Sequence, residues 1–344
     1  MSISSFTTTK QNGIALISIM IIVVLVAALA TQMHWDQQIA YKRLEAELVQ
    51  ESAKQYALGA ENWAREILND DYKEAPDSDN LTETWAQALP ALPIEGGQIQ
   101  GRIEDLQGRF NLNNLINSNG EISELHLEQF ERLLSYLQIN PELATAVADW
   151  IDSDTYPEFP GGAEDAEYVA LPQPYRTANQ YITHPSELLS IKGFTRNTYR
   201  QLLPYITCLP TGTEINLNTA KSPVIVSLSS KMSESQALDL IKIRSNTPFE
   251  QGNNDILDNL ANFDANDLEI ATSVSSQYYV SELEVGIGDR LYRQHSYLYR
   301  DQSGQTGVYQ RIRMPKRLPE NKENTQNTID DSNTLLINGQ SRLQ

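Results

Sequence analysis

The first strong pattern along the chain is an uncharged apolar stretch from Ile14 to Trp35. Its 22 residues include no Asp, Glu, Lys or Arg. As an α-helix the stretch would be roughly 33 Å long, enough to cross a bilayer core of about 30 Å. The pattern therefore predicts a transmembrane segment over residues 14–35.

A second pattern follows directly and predicts that the same helix continues as an amphipathic helix to about residue 70. Apolar side chains recur every three or four residues, and no Pro lies between Ile14 and Leu68. One reading is that this stripe packs on the helices of partner subunits; another is that it packs only on the protein's own sheet. We expect both, at different heights along the helix. The predicted partner-helix face consists of Leu44, Leu48, Tyr56, Ala60, Trp63 and Ile67.

The rest of the chain is patterned as strands on both sides of a helical region, which predicts an α+β fold with a helical insertion. Residues 70–95 are rich in Pro, Asp and Asn and are expected to form a loop anchored by Trp85. Helical spacing runs through 121–209 and 219–272. Alternating apolar runs predict strands within residues 97–115, 277–288, 291–301 and 307–314.

Two short segments resemble each other. RFNLNNLI at 109–116 and EINLNTAK at 214–221 both run from an apolar residue into an Asn-rich helix start. Two independently capped helices explain this similarity, so we predict no repeat.

Composition narrows the possible functions. The 344 residues carry 26 Lys and Arg against 45 Asp and Glu, a net charge of −19, which disfavours nucleic acid and suits metal cations. The single cysteine, Cys208, excludes an internal disulfide, and the four histidines lack ligand spacing. The sequence contains no recognisable catalytic motif, so we predict that the protein is not an enzyme.

The acidic segment from Asp149 to Glu167 is the main candidate for binding chemistry. Seven of its 19 residues are acidic, none is basic, and two Pro and a Gly-Gly pair indicate a loop. Ca²⁺ takes six to eight oxygen ligands from such carboxylates and loop carbonyls. A solvated acidic loop explains the composition equally well, so the residues alone leave both readings open.

The N-terminus allows three interpretations. A signal peptide would leave Thr31 as the first mature residue, whereas an uncleaved anchor would keep Met1. The third interpretation is a short polar leader over residues 1–13, which ends at Gly13 and precedes a mature chain starting at Ile14. The continuous helix that follows disfavours the signal peptide.

The leader, the apolar start and the long helix resemble those of type IV pilins and pseudopilins. In that family a prepilin peptidase cuts after the Gly and methylates the next residue, which implies processing at Gly13 and Ile14. The family's usual Glu at the fifth mature position is replaced by Ser18. The lack of this Glu is typical of the K-type minor pseudopilins of type II secretion systems. Two further segments resemble the same proteins: WIDSD followed by GGAEDAEY, and GRIEDLQGRFNLNNL.

This resemblance implies a specific fold and role. The fold would be a long N-terminal helix packed on a small antiparallel sheet, pilin-like, with a large inserted all-α domain. The protein would cap the pseudopilus tip or initiate its assembly with the I-type and J-type minor pseudopilins, and so support protein export. It would span the bacterial inner membrane once, with its globular part in the periplasm.

The resemblance also implies structural Ca²⁺ at the acidic loop. Carried over residue by residue, the implied ligands are Asp152, Asp154, Glu164 and Asp165, with Asp149 and Glu167 as further candidates.

The expected domain boundaries follow from these predictions. A leader (1–13), a transmembrane part (14–35) and an amphipathic part (36–70) begin the chain. The pilin-like domain is expected in two parts, at 71–116 and 274–314. The inserted helical domain is expected between them at 117–273, and a disordered tail at 315–344.

A rival interpretation concerns the helical region. HPSELLSIKGFTRNTYRQLLPYI and the segment after INLNTA resemble helix-hairpin-helix modules, which often bind DNA through hairpin backbone amides. The alternative function is therefore a membrane-anchored DNA-binding or DNA-uptake protein. One hairpin keeps a single Gly and the other keeps none, and the net charge is acidic. No nucleic-acid partner is therefore expected.

Overall fold

A computed structural model of the chain describes residues 12–250 and 268–314, and it begins with one very long helix. Helix α1 runs over Asn12–Glu74, 63 residues. From Ala15 onward it is long and apolar enough to cross a membrane by length and composition. The side chains of residues 15–44 are exposed to their surroundings, so this part of α1 projects beyond the rest of the protein.

A five-stranded sheet forms the second layer. Its strand order is β1-β2-β7-β8-β9, and every neighbouring pair is antiparallel. The strands are β1 (Leu89–Ile94), β2 (Gly97–Asp105), β7 (Tyr278–Ile287), β8 (Arg290–Arg300) and β9 (Thr306–Met314).

The C-terminal half of α1 packs on one face of this sheet. The buried positions on the helix are mainly small, with Ala53, Ala57 and Ala64 followed by Leu68. They lie in two apolar clusters with sheet residues such as Leu283. Alanine at these positions lets the helix axis lie close to the strands, which extends the buried contact.

The predicted loop over residues 70–95 is partly wrong. Strand β1 occupies six of its residues, Leu89–Ile94, and forms a tight hairpin with β2 through Glu95 and Gly96. Gly96 has a φ of +76°, which is a conformation that favours glycine. Pro90 and Pro93 concealed the strand, since proline reads as a loop residue, yet an edge strand tolerates residues without an N–H donor.

The helices are inserted between β2 and β7, as the fold class predicts. Within its described residues this region has two apolar cores of its own, one before and one after about residue 210. The α-helices described there are α2 (Glu124–Tyr136), α3 (Leu143–Ile151), α4 (Asp165–Val169), α5 (Arg196–Leu202), α6 (Ser222–Ser227) and α7 (Glu234–Asn246). Its short strands are β3 (Phe110–Asn111), β4 (Ile206–Thr207), β5 (Ile215–Asn216) and β6 (Thr272–Ser273).

The two Asn-rich segments do form a structural repeat, which corrects the prediction that they are merely two separate caps. Strands β3 and β5 each pair in parallel with a strand that follows their own set of helices. Asn113 accepts a hydrogen bond from the Ile182 N–H (2.8 Å) and donates to the Ile182 carbonyl (3.0 Å). Asn218 makes the same pair of bonds with Phe249, both at 2.9 Å. We call these contacts the asparagine clamps.

Three predicted segments lie wholly or partly outside the described residues. They are the tail at 315–344, nearly all of the leader at 1–13, and residues 251–267 of the helical stretch predicted at 219–272. The domain boundaries proposed from the sequence remain predictions.

Candidate metal centre

Three carboxylates of the acidic loop meet at the end of helix α3. Asp152 is the residue directly after α3, and Glu164 directly precedes α4, so the intervening loop folds back on itself. Asp152, Asp154 and Glu164 each offer a carboxylate oxygen, and these atoms lie within 4.8 Å of one another. We call these three residues the carboxylate trio.

The trio includes buried oxygens that lack donors. Asp152 and Glu164 are each only 3% exposed. The Oδ1 atom of Asp152 and the Oε1 atom of Glu164 are buried without a hydrogen-bond partner among the described residues. Burying a charged oxygen without a partner is costly, so a cation at this point would satisfy both.

The electrostatics of the loop agree with this arrangement. Burial, followed by the charges of Asp154, Asp149 and Glu164, raises the pKa of Asp152 to about 7. The pKa of Glu164 is also raised, first by burial. The carboxylates therefore repel one another, and hard oxygen ligands of this kind suit Ca²⁺.

Asp149 lies behind the trio and organises the loop backbone. Its side chain is fully buried, and its two oxygens face the Glu158 N–H at 3.4 and 3.2 Å. A Cβ on Gly162 would lie only 2.3 Å from the Asp149 Oδ2 atom. Glycine is therefore required where the loop passes over this carboxylate.

The last two predicted ligands point to other partners. Asp165 Oδ1 accepts hydrogen bonds from the Thr177 N–H (3.0 Å) and hydroxyl (2.9 Å). Glu167 forms a surface ion pair with Lys192 at 2.7 Å. The structure thus brings together three of the six predicted residues, keeps Asp149 beside them, and directs Asp165 and Glu167 elsewhere.

The predicted processing and partner positions all lie on helix α1. Gly13 and Ile14 fall in its first turn. Of the partner-helix face, Leu44, Leu48 and Trp63 are exposed. Tyr56, Ala60 and Ile67 are half-buried at the edge of the contact with the sheet. The stripe of large apolar residues is therefore offset from the alanine face that packs on the sheet.

A second carboxylate group was not anticipated from the sequence. Asp71, Asp79 and Glu83 lie together at the end of α1 and in the following loop. Arg300 on β8 already serves as their cation, with its Nη2 atom 2.5 and 2.6 Å from the two oxygens of Asp79. No local spacing could reveal this site, since its arginine is more than 200 residues away in sequence.

The helix-hairpin-helix segment around Gly193 is closed by internal packing. Gly193 has a φ of +85°, and a Cβ there would lie 2.5 Å from the Leu143 Cδ2 atom. The glycine thus lets the hairpin approach helix α3. This close approach explains why a glycine stands at position 193.

Comparison with known proteins places the chain in a family. A family model described as type II secretion system (T2SS), protein K, matches residues 108–211. Type II secretion system protein K of Pseudomonas aeruginosa is 32% identical over 311 residues, covering 88% of this chain and 92% of that protein. The protein of the same name from Pectobacterium carotovorum is 33% identical over 310 residues, covering 85% and 93%.

The fold has a solved counterpart. It resembles a chain in the crystal structure of the GspK-GspI-GspJ complex from enterotoxigenic Escherichia coli, with a TM-score of 0.69 and 23% identity. That match covers 80% of this chain and 100% of the other. The relatives are named for a secretion-system component rather than for a reaction. Because the two relatives match most of its length at more than 30% identity, this chain belongs to the type II secretion system protein K family.

Proposed function

We propose that this chain is the minor pseudopilin at the tip of the type II secretion pseudopilus, where it initiates or caps assembly and so supports protein export. The observation that carries the proposal is the form of α1. Its C-terminal half is fixed to the sheet, while its apolar N-terminal half projects free of the globular part. Such a helix is suited to leave the membrane and pack into a filament.

The bulk of the insertion supports a position at the end of the filament. About half of the chain lies between β2 and β7. The five-stranded sheet that packs on α1 is formed by the residues on either side of this insertion. Ser18 stands where the family's helix carries the Glu that pairs with a neighbouring subunit. A terminal subunit has no such neighbour, and a bare carboxylate in lipid is costly.

The proposed partners follow from the same family. The solved relative is in a complex with GspI and GspJ, so we propose the I-type and J-type minor pseudopilins as partners here. Prepilin peptidase would cut after Gly13 and methylate Ile14. The segment over residues 14–35 would then lie in the inner membrane, with the globular part in the periplasm.

We also propose that the carboxylate trio holds a structural Ca²⁺. The two orphaned oxygens of Asp152 and Glu164 support this assignment. Bound Ca²⁺ would supply the positive charge that the loop lacks. It would thereby hold the loop between α3 and α4 in its folded conformation.

The decisive experiment combines processing with secretion. Mass spectrometry of the N-terminal peptide should find N-methylated Ile14 in the membrane-extracted protein. A strain lacking the gene should lose type II secretion, and the wild-type chain should restore it. A mature N-terminus at Thr31, or normal secretion without the gene, would refute the proposal.

A further inference from the structure

Two aromatic side chains of the acidic loop point into solvent. Phe159 is 88% exposed and Tyr156 is 78% exposed, the largest exposed fractions among the large apolar and aromatic side chains of the described residues. A ring that stays this exposed buries almost no apolar area in its own fold, so it contributes little to stability. The packing of this chain therefore does not explain why either residue is aromatic.

The loop holds both rings on a constrained backbone. The Tyr156 N–H donates to the Asp154 carboxylate at 2.8 Å, and the Glu158 N–H lies 3.2 Å from the nearer oxygen of Asp149. Each aromatic residue directly precedes a proline, which restricts its backbone to extended conformations. A loop held in this way loses little conformational entropy when it binds, which favours contact with a partner.

The loop belongs to the part of the protein that lies farther from the membrane segment. The insertion leaves the sheet after Asp105 and rejoins it at Tyr278. At this end of the sheet Arg300 forms an ion pair with Asp71, close to the end of α1. Asp71 is about 50 Å along the helix beyond Trp35. The rings are therefore carried by a domain that is remote from the membrane segment of its own chain.

Charge decides the class of partner. Glu158 lies between the two aromatic residues, and the segment from Asp149 to Glu167 contains seven acidic residues and no basic one. The segment stays negative even when a divalent cation occupies the carboxylate trio. Neither ring could enter a lipid bilayer without bringing the Glu158 carboxylate with it, which is costly, and anionic headgroups would repel the segment. A protein surface can bury the rings and pair the carboxylate with a cation.

We propose that Tyr156 and Phe159 insert into an apolar pocket, rimmed by Lys or Arg, on the surface of another protein. Aromatic anchors in buried pockets carry much of the binding free energy of protein interfaces, and a polar rim surrounds them. Glu158 would pair with the basic rim of that pocket. This contact goes beyond the helix contacts of the proposed function, since it uses no residue of α1.

The test is photo-crosslinking with the full-length chain in cells of its own species. Tyr156→p-benzoylphenylalanine and Phe159→p-benzoylphenylalanine place a photoreactive ring at each position, and mass spectrometry maps the adducts. Both variants should form an adduct with the same second protein, at an apolar site with Lys or Arg around it. The absence of adducts, adducts with lipid or only within the chain, or a partner site rimmed by acidic residues would overturn the inference.

Leu125 provides the matched control position. It is 42% exposed on α2, and Glu124 and Glu128 lie beside it on the helix, so it combines an exposed apolar side chain with acidic neighbours. Leu125→p-benzoylphenylalanine should give that adduct at about one tenth of the yield or less. Equal yields at Leu125 and Phe159 would overturn the inference.

A charge reversal tests the basic rim. Glu158→Lys should lower the adduct yield at position 159 about tenfold, whereas Glu124→Lys should leave it unchanged. Both glutamates are exposed, so both variants should keep the wild-type Tm. A yield that Glu158→Lys does not lower would overturn the inference. Normal secretion in a strain lacking the gene would refute the proposed function, and the adducts would still decide this inference.

Discussion

Arg311 on strand β9 binds Glu61 on helix α1 through both carboxylate oxygens. The Nε–Oε2 and Nη2–Oε1 distances are both 2.7 Å. Ser296 also donates to Glu61, at 2.6 Å. Burial alone would raise the pKa of Glu61, but these hydrogen bonds and the charge of Arg311 lower it below its usual value. This contact ties β9, the edge of the sheet, to the long helix.

Arg311→Ala should therefore destabilise the globular part by about 2 kcal/mol at pH 7, because it leaves a buried carboxylate without its cation. A group with a lowered pKa contributes stability above its unfolded pKa and loses it as pH falls. Without Arg311, burial of Glu61 favours the protonated carboxyl. The difference between variant and wild type should hence shrink as pH approaches 4, as measured by thermal unfolding in detergent.

Arg102→Ala is the control for this prediction. Arg102 forms ion pairs with Glu104 and Glu282 at 2.7 Å, but its side chain is half exposed. Surface pairs contribute about 0–1 kcal/mol, so this variant should unfold nearly as the wild type does. Equal losses in the two variants would contradict the importance assigned to the buried pair.

Asp71, one of the buried carboxylates around Arg300, should make stability depend on pH in the opposite direction. Burial, followed by the charges of Glu83 and Asp79, raises the pKa of Asp71 to about 7 from its ordinary 3.8. The native chain therefore holds this proton to higher pH than the unfolded chain does. The stability that it contributes is complete below pH 3.8 and is lost as pH rises toward 7.

Asp71→Asn should remove this loss. The variant should match the wild type near pH 4 and be the more stable of the two at pH 8, in thermal unfolding across that range. Asp301→Asn provides a control of opposite sign, since hydrogen bonds from Ser303 and Gln305 lower the pKa of Asp301. That variant should lose stability at pH 7, and its difference from the wild type should shrink as pH falls below 3.8. A flat difference between Asp71→Asn and wild type would refute the prediction.

The sequence predicted the fold class, because each layer has its own period in the chain. It did not predict which face of α1 the sheet would bury. Large residues such as Leu48 and Trp63 define the apolar stripe in the sequence of α1, yet the sheet covers the small Ala53 and Ala57. A helix can lie close to a sheet only where its side chains are small. Because alanine is only weakly hydrophobic, the spacing of apolar residues in the sequence does not mark such positions.

The candidate site was predicted in part for a similar reason. The density of carboxylates marked the loop, and Asp152, Asp154 and Glu164 do meet. Asp165 could not be assigned from its neighbours in sequence, because its partner Thr177 lies 12 residues downstream. Pairings across longer distances, such as Arg300 with Asp79, have no local signal at all.

The carboxylate trio predicts that Ca²⁺ reverses the effect of a single substitution. Without Ca²⁺, Asp152→Asn should be as stable as the wild type or more so, since it removes one of three carboxylates within 4.8 Å. With Ca²⁺ at about 100 times its Kd, the wild type should gain about 2.7 kcal/mol and the variant should not. Thermal unfolding in chelator and in millimolar Ca²⁺ measures both.

Glu167→Gln is the matched control for the trio. Glu167 belongs to the same acidic segment but pairs with Lys192 at the surface, so this variant should keep the full gain from Ca²⁺. Wild-type stability that does not respond to Ca²⁺, or an Asp152→Asn variant that responds fully, would contradict the assignment.

The asparagine clamps predict that two substitutions far apart in sequence have similar costs. Asn113 is buried and bonds to both polar groups of Ile182 and to the Leu209 carbonyl (2.9 Å). Asn113→Ala would leave these backbone groups buried without partners. Asn218→Ala would leave the Phe249 N–H without its acceptor, whereas the Phe249 carbonyl would keep the hydrogen bond from the Ser78 hydroxyl at 3.0 Å. Each variant should lose about 2–4 kcal/mol in thermal unfolding.

Asn117→Ala distinguishes a clamp from an ordinary turn. Asn117 also bonds to backbone groups, the N–H of Asn119 (2.9 Å) and of Glu121 (3.1 Å), but in an exposed turn where water replaces a lost acceptor. Its loss should be about 0.5 kcal/mol. If Asn113→Ala is costly and Asn218→Ala is as mild as Asn117→Ala, the second repeat depends on its apolar core instead. Equal and large losses would mean that the same kind of buried asparagine hydrogen bonds stabilises both halves of the insertion.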